Sequence, residues 1–193
     1  MKARFVFALC VLLTGNLLAQ DKTLPFYEIP EAPSVYNECT VVARMIEGLG
    51  FRYYWATEGL RAEDLAYKAS ESGRTSDETI DHIYGLSKVI VNSALKVPNE
   101  RGEEETLSFE EKRKKTLENF KTAADIFRVS KSLEEFTIVF KRGGNTSEFP
   151  FWNQINGPIE DAVWHCGQVV MLRRASGNPF SSNVSVFSGK VKE

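Results

Sequence analysis

Residues 161–179 read DAVWHCGQVVMLRRASGNP, and the fold of this chain turns on that stretch. Placed on a helix at about 100° per residue with Asp161 at zero, His165 falls near 40°, Gln168 near −20° and Leu172 near 20°. Ile159, Ala162, Val163, Cys166, Val169 and Val170 gather on the other side. The pattern is an amphipathic helix with an apolar face and a narrow polar stripe beside it. SGNP is its stop signal: Gly177 suits the residue just past the last turn, and Pro179 cannot continue a helix. At the other end Pro158 suits a first helical position, so the helix is expected to begin there.

Working outward, three more helical patterns precede it. Val42, Met45, Ile46, Leu49, Tyr53, Ala56 and Leu60 recur at steps of three and four, which predicts a first helix over Glu38–Leu60. Gly48, Gly50 and Gly59 weaken it. A second helix opens at a capping-box pair, Thr75 with Glu78, carries Ile83, Leu86, Val89, Ile90 and Ser93 on one face, and stops at Pro98. A third opens at Ser108 with Glu111 and carries Leu117, Phe120, Ala124 and Phe127. Its run EEKRKK, residues 110–115, reads as a solvated, salt-bridged face. FTIVF, residues 136–140, is a short strand or a buried crossover, and Gly143-Gly144-Asn145 is a turn. Four amphipathic helices with one long connection predict an all-α fold, a four-helix bundle with one long crossover.

The remaining segments set the domain limits. Residues 1–19 carry Lys2 and Arg4, then an apolar run from Phe5 to Leu13, and end on Ala19. That is the pattern of a secretory signal peptide, and the run is too short to stay in a bilayer as a spanning helix. A lipid anchor through Cys10 fits poorly after the bulky Leu9. Residues 20–36 hold three prolines and read as an extended N-terminal arm. The bundle takes residues 37–180, and 181–193 form a short polar tail. Export to the periplasm or the medium follows, with no stable membrane insertion. Of 24 basic side chains 22 remain once Lys2 and Arg4 leave, against 26 acidic ones, a charge of about −4. No basic stripe invites nucleic acid. Cys39 and Cys166 then remain, either bridged or as two buried thiols.

The chain has only two histidines, and each has two readings. Asp161 and His165 stand one helical turn apart, where both can reach one ion. Equally, Asp161 can favour the positive end of the helix and accept a hydrogen bond from His165. His82 shares the inner face of the second helix, as a core histidine satisfied by a carbonyl or as a third ligand. Inward positions of facing helices are where bundles build metal sites. Trp164, Tyr53, Tyr54 and Trp55 are pocket or core aromatics.

HCGQVVMLRRASGNP and IDHIYGLS carry a resemblance. A histidine, one residue, Gly-Gln, an apolar turn, an arginine and Gly with Pro nearby is a pattern of the DinB-like (DinB/YfiT) superfamily of four-helix bundles. His165, Gly167, Gln168, Arg173, Gly177 and Pro179 match it, and the chain resembles that superfamily from the first helix to the last. The resemblance implies a divalent metal, Zn²⁺, Ni²⁺ or Fe²⁺, held by one histidine of the second helix and two of the fourth. Here that set becomes His82, Asp161 and His165, with Asp161 where a histidine is usual. Two imidazoles and a carboxylate suit Zn²⁺ and non-haem Fe²⁺. Gln168 is then an outer partner of the metal ligands, or else a helix–helix hydrogen bond. Glu78 orients His82, or else only caps its helix. The implied activity is a metal-dependent hydrolase or transferase acting on a small molecule. The rival is a non-catalytic binding or structural bundle with a relict site. Related bundles pair into dimers, so a homodimer is one expected assembly.

Overall fold

The computed structural model describes residues 24–100, 102 and 106–192. The leader expected over residues 1–19 lies outside them. The described chain is mostly helical, with small sheets. Its long helices are α1 (Glu38–Thr57), α3 (Ser76–Leu95), α4 (Phe109–Val129) and α6 (Glu160–Ala175). α1 packs against α4 and α6, and α3 packs against the same two. Their apolar faces meet in one core that includes Ile46, Leu49, Tyr53, Ile83, Ile90, Leu117, Phe120 and Phe127, with Ala162, Cys166 and Val169 from α6. No helix among the described residues is long and apolar enough to cross a membrane.

Helix starts follow local chemistry. Thr75 accepts from the Glu78 N–H at 3.1 Å while the Glu78 carboxylate accepts from the Thr75 N–H at 2.8 Å. Ser108 and Glu111 do the same at 3.2 and 2.9 Å. Each reciprocal pair satisfies two N–H groups that the first turn would otherwise leave bare. Asn37 and Thr40 close α1 in the same way. At its far end α1 stops at Thr57, short of Leu60. Gly59 lies beyond the helix at φ +66°, and a short helix α2 (Ala62–Leu65) follows.

The last helix starts earlier and less regularly than Pro158 suggests. α5 (Trp152–Gln154) leads into a π-turn over Ile155–Ile159, which leads into α6. Pro158 lies inside that turn. A π-turn is wide, and Pro158 has no N–H to offer its ladder, so the helix absorbs the proline instead of starting at it.

Small strands accompany the helices. β1 (Asn99–Glu100) runs parallel to β2 (Ile138–Arg142), which pairs antiparallel with β3 (Asn145–Phe149). Gly143 and Gly144 form the two-residue link, at φ +55° and +84°, which both residues of this hairpin turn require. The tail is folded too. β4 (Val184–Ser185) pairs with β5 (Lys190–Val191), and this hairpin holds the arm: Ile29 donates its N–H to the Gly189 carbonyl at 2.9 Å. Glu28 accepts from the Val191 N–H and from Lys190.

The EEKRKK run is not uniformly solvated. Lys112 and Arg113 are buried. Lys112 pairs with Asp77 and Asp81 of α3. Arg113 pairs with Glu58 at 2.6 Å, donates to Thr57 Oγ1 and lies over the Tyr54 ring. Partners from two other helices make burial of these charges tolerable. Cys39 and Cys166 are free and buried, and burial pushes the Cys166 thiol up to about 12.

Candidate metal centre

α3 and α6 bring the three residues singled out by the sequence to one place. His82 stands in the second turn of α3, and Asp161 and His165 stand one turn apart on α6. One nitrogen of each histidine and one oxygen of Asp161 all lie within 4.8 Å of one another. His82 Nε2 is 3.0 Å from Asp161 Oδ2, and His165 Nε2 is 3.2 Å from Oδ1. The two rings meet edge to face with centroids 4.6 Å apart. A single carboxylate thus sits between two imidazole nitrogens supplied by two helices.

Gln168 sets the orientation of His165. Its Oε1 lies 2.8 Å from His165 Nδ1. Facing a carbonyl oxygen, Nδ1 carries the proton and donates it, with the amide oriented as placed. The Nε2 lone pair then points at a carboxylate oxygen. In that arrangement Nε2 and Oδ1 face each other across 3.2 Å, close enough for one cation to bind both. An outer acceptor on Nδ1 and a ligating Nε2 is the usual arrangement of a metal-bound histidine. Glu78 has its carboxylate on the Thr75 N–H, in the capping role.

The donor set fits a divalent ion. Two imidazole nitrogens and one carboxylate are borderline donors of the kind that hold Zn²⁺ and Fe²⁺. The side chains of His82 and Asp161 are each 36% exposed and that of His165 13%, so an ion held there keeps positions open to solvent or ligand.

The centre is anchored from behind. α6 ends in a Schellman cap: Asn178 donates to the Arg173 carbonyl at 2.8 Å and Gly177 to Arg174 at 3.2 Å, with Gly177 at φ +84°. Buried Arg173 donates to the carbonyls of Trp55 and Ala56, in the last turn of α1, at 3.0 and 3.1 Å. Asp64 is buried where Arg61, Ser176 and Asn178 all donate to it, and the Arg61 guanidinium foremost holds its carboxyl well below the usual carboxylate range. The RRASGNP end of the motif is therefore structural: it ties α6 to α1 and α2.

A groove of about 650 Å³ opens beside His165. Gln168, Thr79, Trp164, Met171 and Arg74 border it. Trp164 is 72% exposed, whereas Tyr53, Tyr54 and Trp55 belong to the core. Arg74 and Thr79 escaped the sequence reading. Arg74 sits in an aperiodic loop, and nothing in its neighbours' spacing points toward α6.

No protein-family model matches the chain, and no curated protein or solved structure is significantly similar to it.

Proposed function

We propose that this chain is an exported, DinB-like four-helix bundle that binds a divalent metal through His82, Asp161 and His165. It uses the metal in hydrolysis or group transfer on a small molecule. The observation that carries the reading is the Asp161 carboxylate between two imidazole nitrogens, with Gln168 fixing the ring of one of them. Support for the bundle is the mutual packing of α1, α3, α4 and α6. Support for export to the periplasm or the medium is the leader-like composition of residues 1–19.

A divalent ion held there supplies a Lewis acid, lowering the pKa of a ligating water or thiol and polarising a carbonyl. The chain's own residues do the rest. His82 and His165 offer Nε2 from opposite helices, which fixes the separation of the donors. Asp161 offsets one unit of positive charge. Gln168 holds the Nδ1–H of His165. Trp164 and Met171 give the groove an apolar wall against which a ligand can exclude water.

The test is metal content of the untagged protein, after Zn²⁺, Ni²⁺ and Fe²⁺ are each offered, beside that of His165→Ala. One equivalent in the wild type and none in the variant is expected. Wild-type protein without stoichiometric metal overturns the reading. Metal without turnover across hydrolase and transferase substrates leaves the rival, a binding bundle whose histidine–carboxylate cluster is not catalytic.

A further inference from the structure

We infer that the metal centre takes an organic carboxylate, and that Arg74 is the residue that reads its negative charge; this rests on the metal-binding reading above. Among the described residues, Arg74 is the one Lys, Arg, Asp or Glu bordering the groove beside His165. It is exposed, in the loop that leads into α3. Nearby cations are committed elsewhere. Arg61 pairs with Glu63 and Asp64, Lys112 with Asp77 and Asp81, and Lys68 donates to the Glu71 carbonyl at 3.0 Å. Arg74 has no such partner among the described residues. A planar guanidinium without a carboxylate of its own, at the rim of a groove, is suited to a bidentate carboxylate from outside.

The rest of the groove describes the body of that ligand. Trp164 is 72% exposed and Met171 63%, although both are large and apolar. They stand one turn before and beyond Gln168 on the outer side of α6, and both border the groove. A flat apolar body can lie along them, with one end at His165, the member of the metal centre that borders the groove, and the other at Arg74. Aromatic and thioether side chains both favour such a body. Thr79 adds a hydroxyl, but it already donates to the Thr75 carbonyl at 2.8 Å, so it remains an acceptor there. The groove thus offers one positive group, one apolar wall and one metal-ligating end.

Two probes that differ only in charge test this. The intact untagged chain is loaded with Co²⁺, whose visible bands report its ligands. It is then titrated with 4-mercaptobenzoate and with the neutral 4-mercaptobenzamide. The carboxylate is expected to bind about tenfold more tightly, the scale of one charge-assisted hydrogen-bonded pair at an open site. Arg74→Gln should abolish that preference with the Co²⁺ bands and the amide's affinity unchanged, and Arg74→Lys should restore part of it. Equal affinities in the wild type, a preference that survives Arg74→Gln, or no response to either thiol overturns the inference while the metal reading stands. Absence of protein-bound Co²⁺ bands is a different failure: it removes the metal reading, and this inference with it.

Discussion

The His82 and His165 rings stand edge to face, 4.6 Å between centroids and 85° between planes, although 82 residues separate them in sequence. Each turns Nε2 toward the same carboxylate, that of Asp161. An edge-to-face contact between two imidazoles is a weak interaction, and these side chains are partly exposed. Packing alone does not fix both rings. Gln168 holds the His165 ring from the other side and the Asp161 carboxylate faces both rings, so removing that carboxylate separates effects that a histidine variant confounds.

Asp161→Ala leaves both rings but no carboxylate between them. Metal affinity should fall by more than the ~100-fold that removal of an outer partner typically reaches. Asp161→His should instead keep one equivalent of metal, because it supplies a third imidazole at the same helical position. Competition against a chromophoric chelator measures both. Equal affinity of Asp161→Ala and wild type would remove Asp161 from the ligand set.

Gln168 acts only through His165. Gln168→Leu cannot accept the Nδ1–H, so ring orientation loosens and metal affinity should drop about 10- to 100-fold. Gln168 is exposed, so the melting temperature without metal should barely move. A large loss of apo stability with unchanged metal affinity would assign it a helix–helix role instead.

Helices α3 and α4 were legible because both of their determinants are local: a Thr or Ser three residues before Glu, and apolar residues at steps of three and four. Asp161 and His165 were legible for the same reason, since a spacing of four places them on one stripe. What escaped depends on partners far along the chain. Lys112 and Arg113 look like surface charge until α3 and the end of α1 bring Asp77, Asp81 and Glu58 to them. The tail hairpin has little core of its own and is paired with the arm. Pro158 has the residue type of a helix start, but the preceding WNQ turn and the wide π-turn carry the helix back to Trp152 and leave the proline inside.

Arg173→Met tests the anchor behind the centre. The side chain is buried and caps the last carbonyls of α1, which have no helical partner of their own. Methionine fills much of the volume but leaves those carbonyls bare, at a cost of about 3 kcal/mol. Denaturant unfolding measures it. Metal affinity in the folded state should be unchanged. A loss under about 0.5 kcal/mol, the scale of an ordinary surface change, would mean that water replaces the guanidinium freely.

Asp64 gives the fold an acid-sensitive element with a definite sign. Its carboxyl is held below the ordinary range by Arg61 first, and by Ser176, the Arg61 N–H and Asn178. A depressed folded-state pKa means stability that is fully present above the unfolded value of about 3.9. It is lost as pH falls from there through the lower folded value. Asp64→Asn should therefore be less stable at pH 7, by about 1–2 kcal/mol, the scale of charge-assisted hydrogen bonds to a buried carboxylate whose arginine partner is half exposed. Its stability should also decline less steeply between pH 4 and pH 2. Parallel stability–pH curves for variant and wild type would show that Asp64 does not carry this dependence.

Gly50 decides whether the arm stays on α1. A Cβ there would collide with the Phe26 ring, so Gly50→Ala sets two effects against each other. Alanine in a helix gains about 1 kcal/mol over glycine. Forcing a side chain into a filled contact costs about 1–3 kcal/mol. Phe26 can escape the clash, because it already holds an unfavourable φ of +71° that release would relax. The outcome should be a helical core of nearly unchanged stability with the arm detached. Trp55 donates its Nε1–H to the Tyr27 carbonyl at 3.0 Å, so its fluorescence should shift to the red as Tyr27 leaves. Residues 24–36 should become open to limited proteolysis, while metal affinity at the α3–α6 face is untouched. An arm that stays protected, with unshifted Trp55 emission, would show that α1 and Phe26 accommodate the methyl in place.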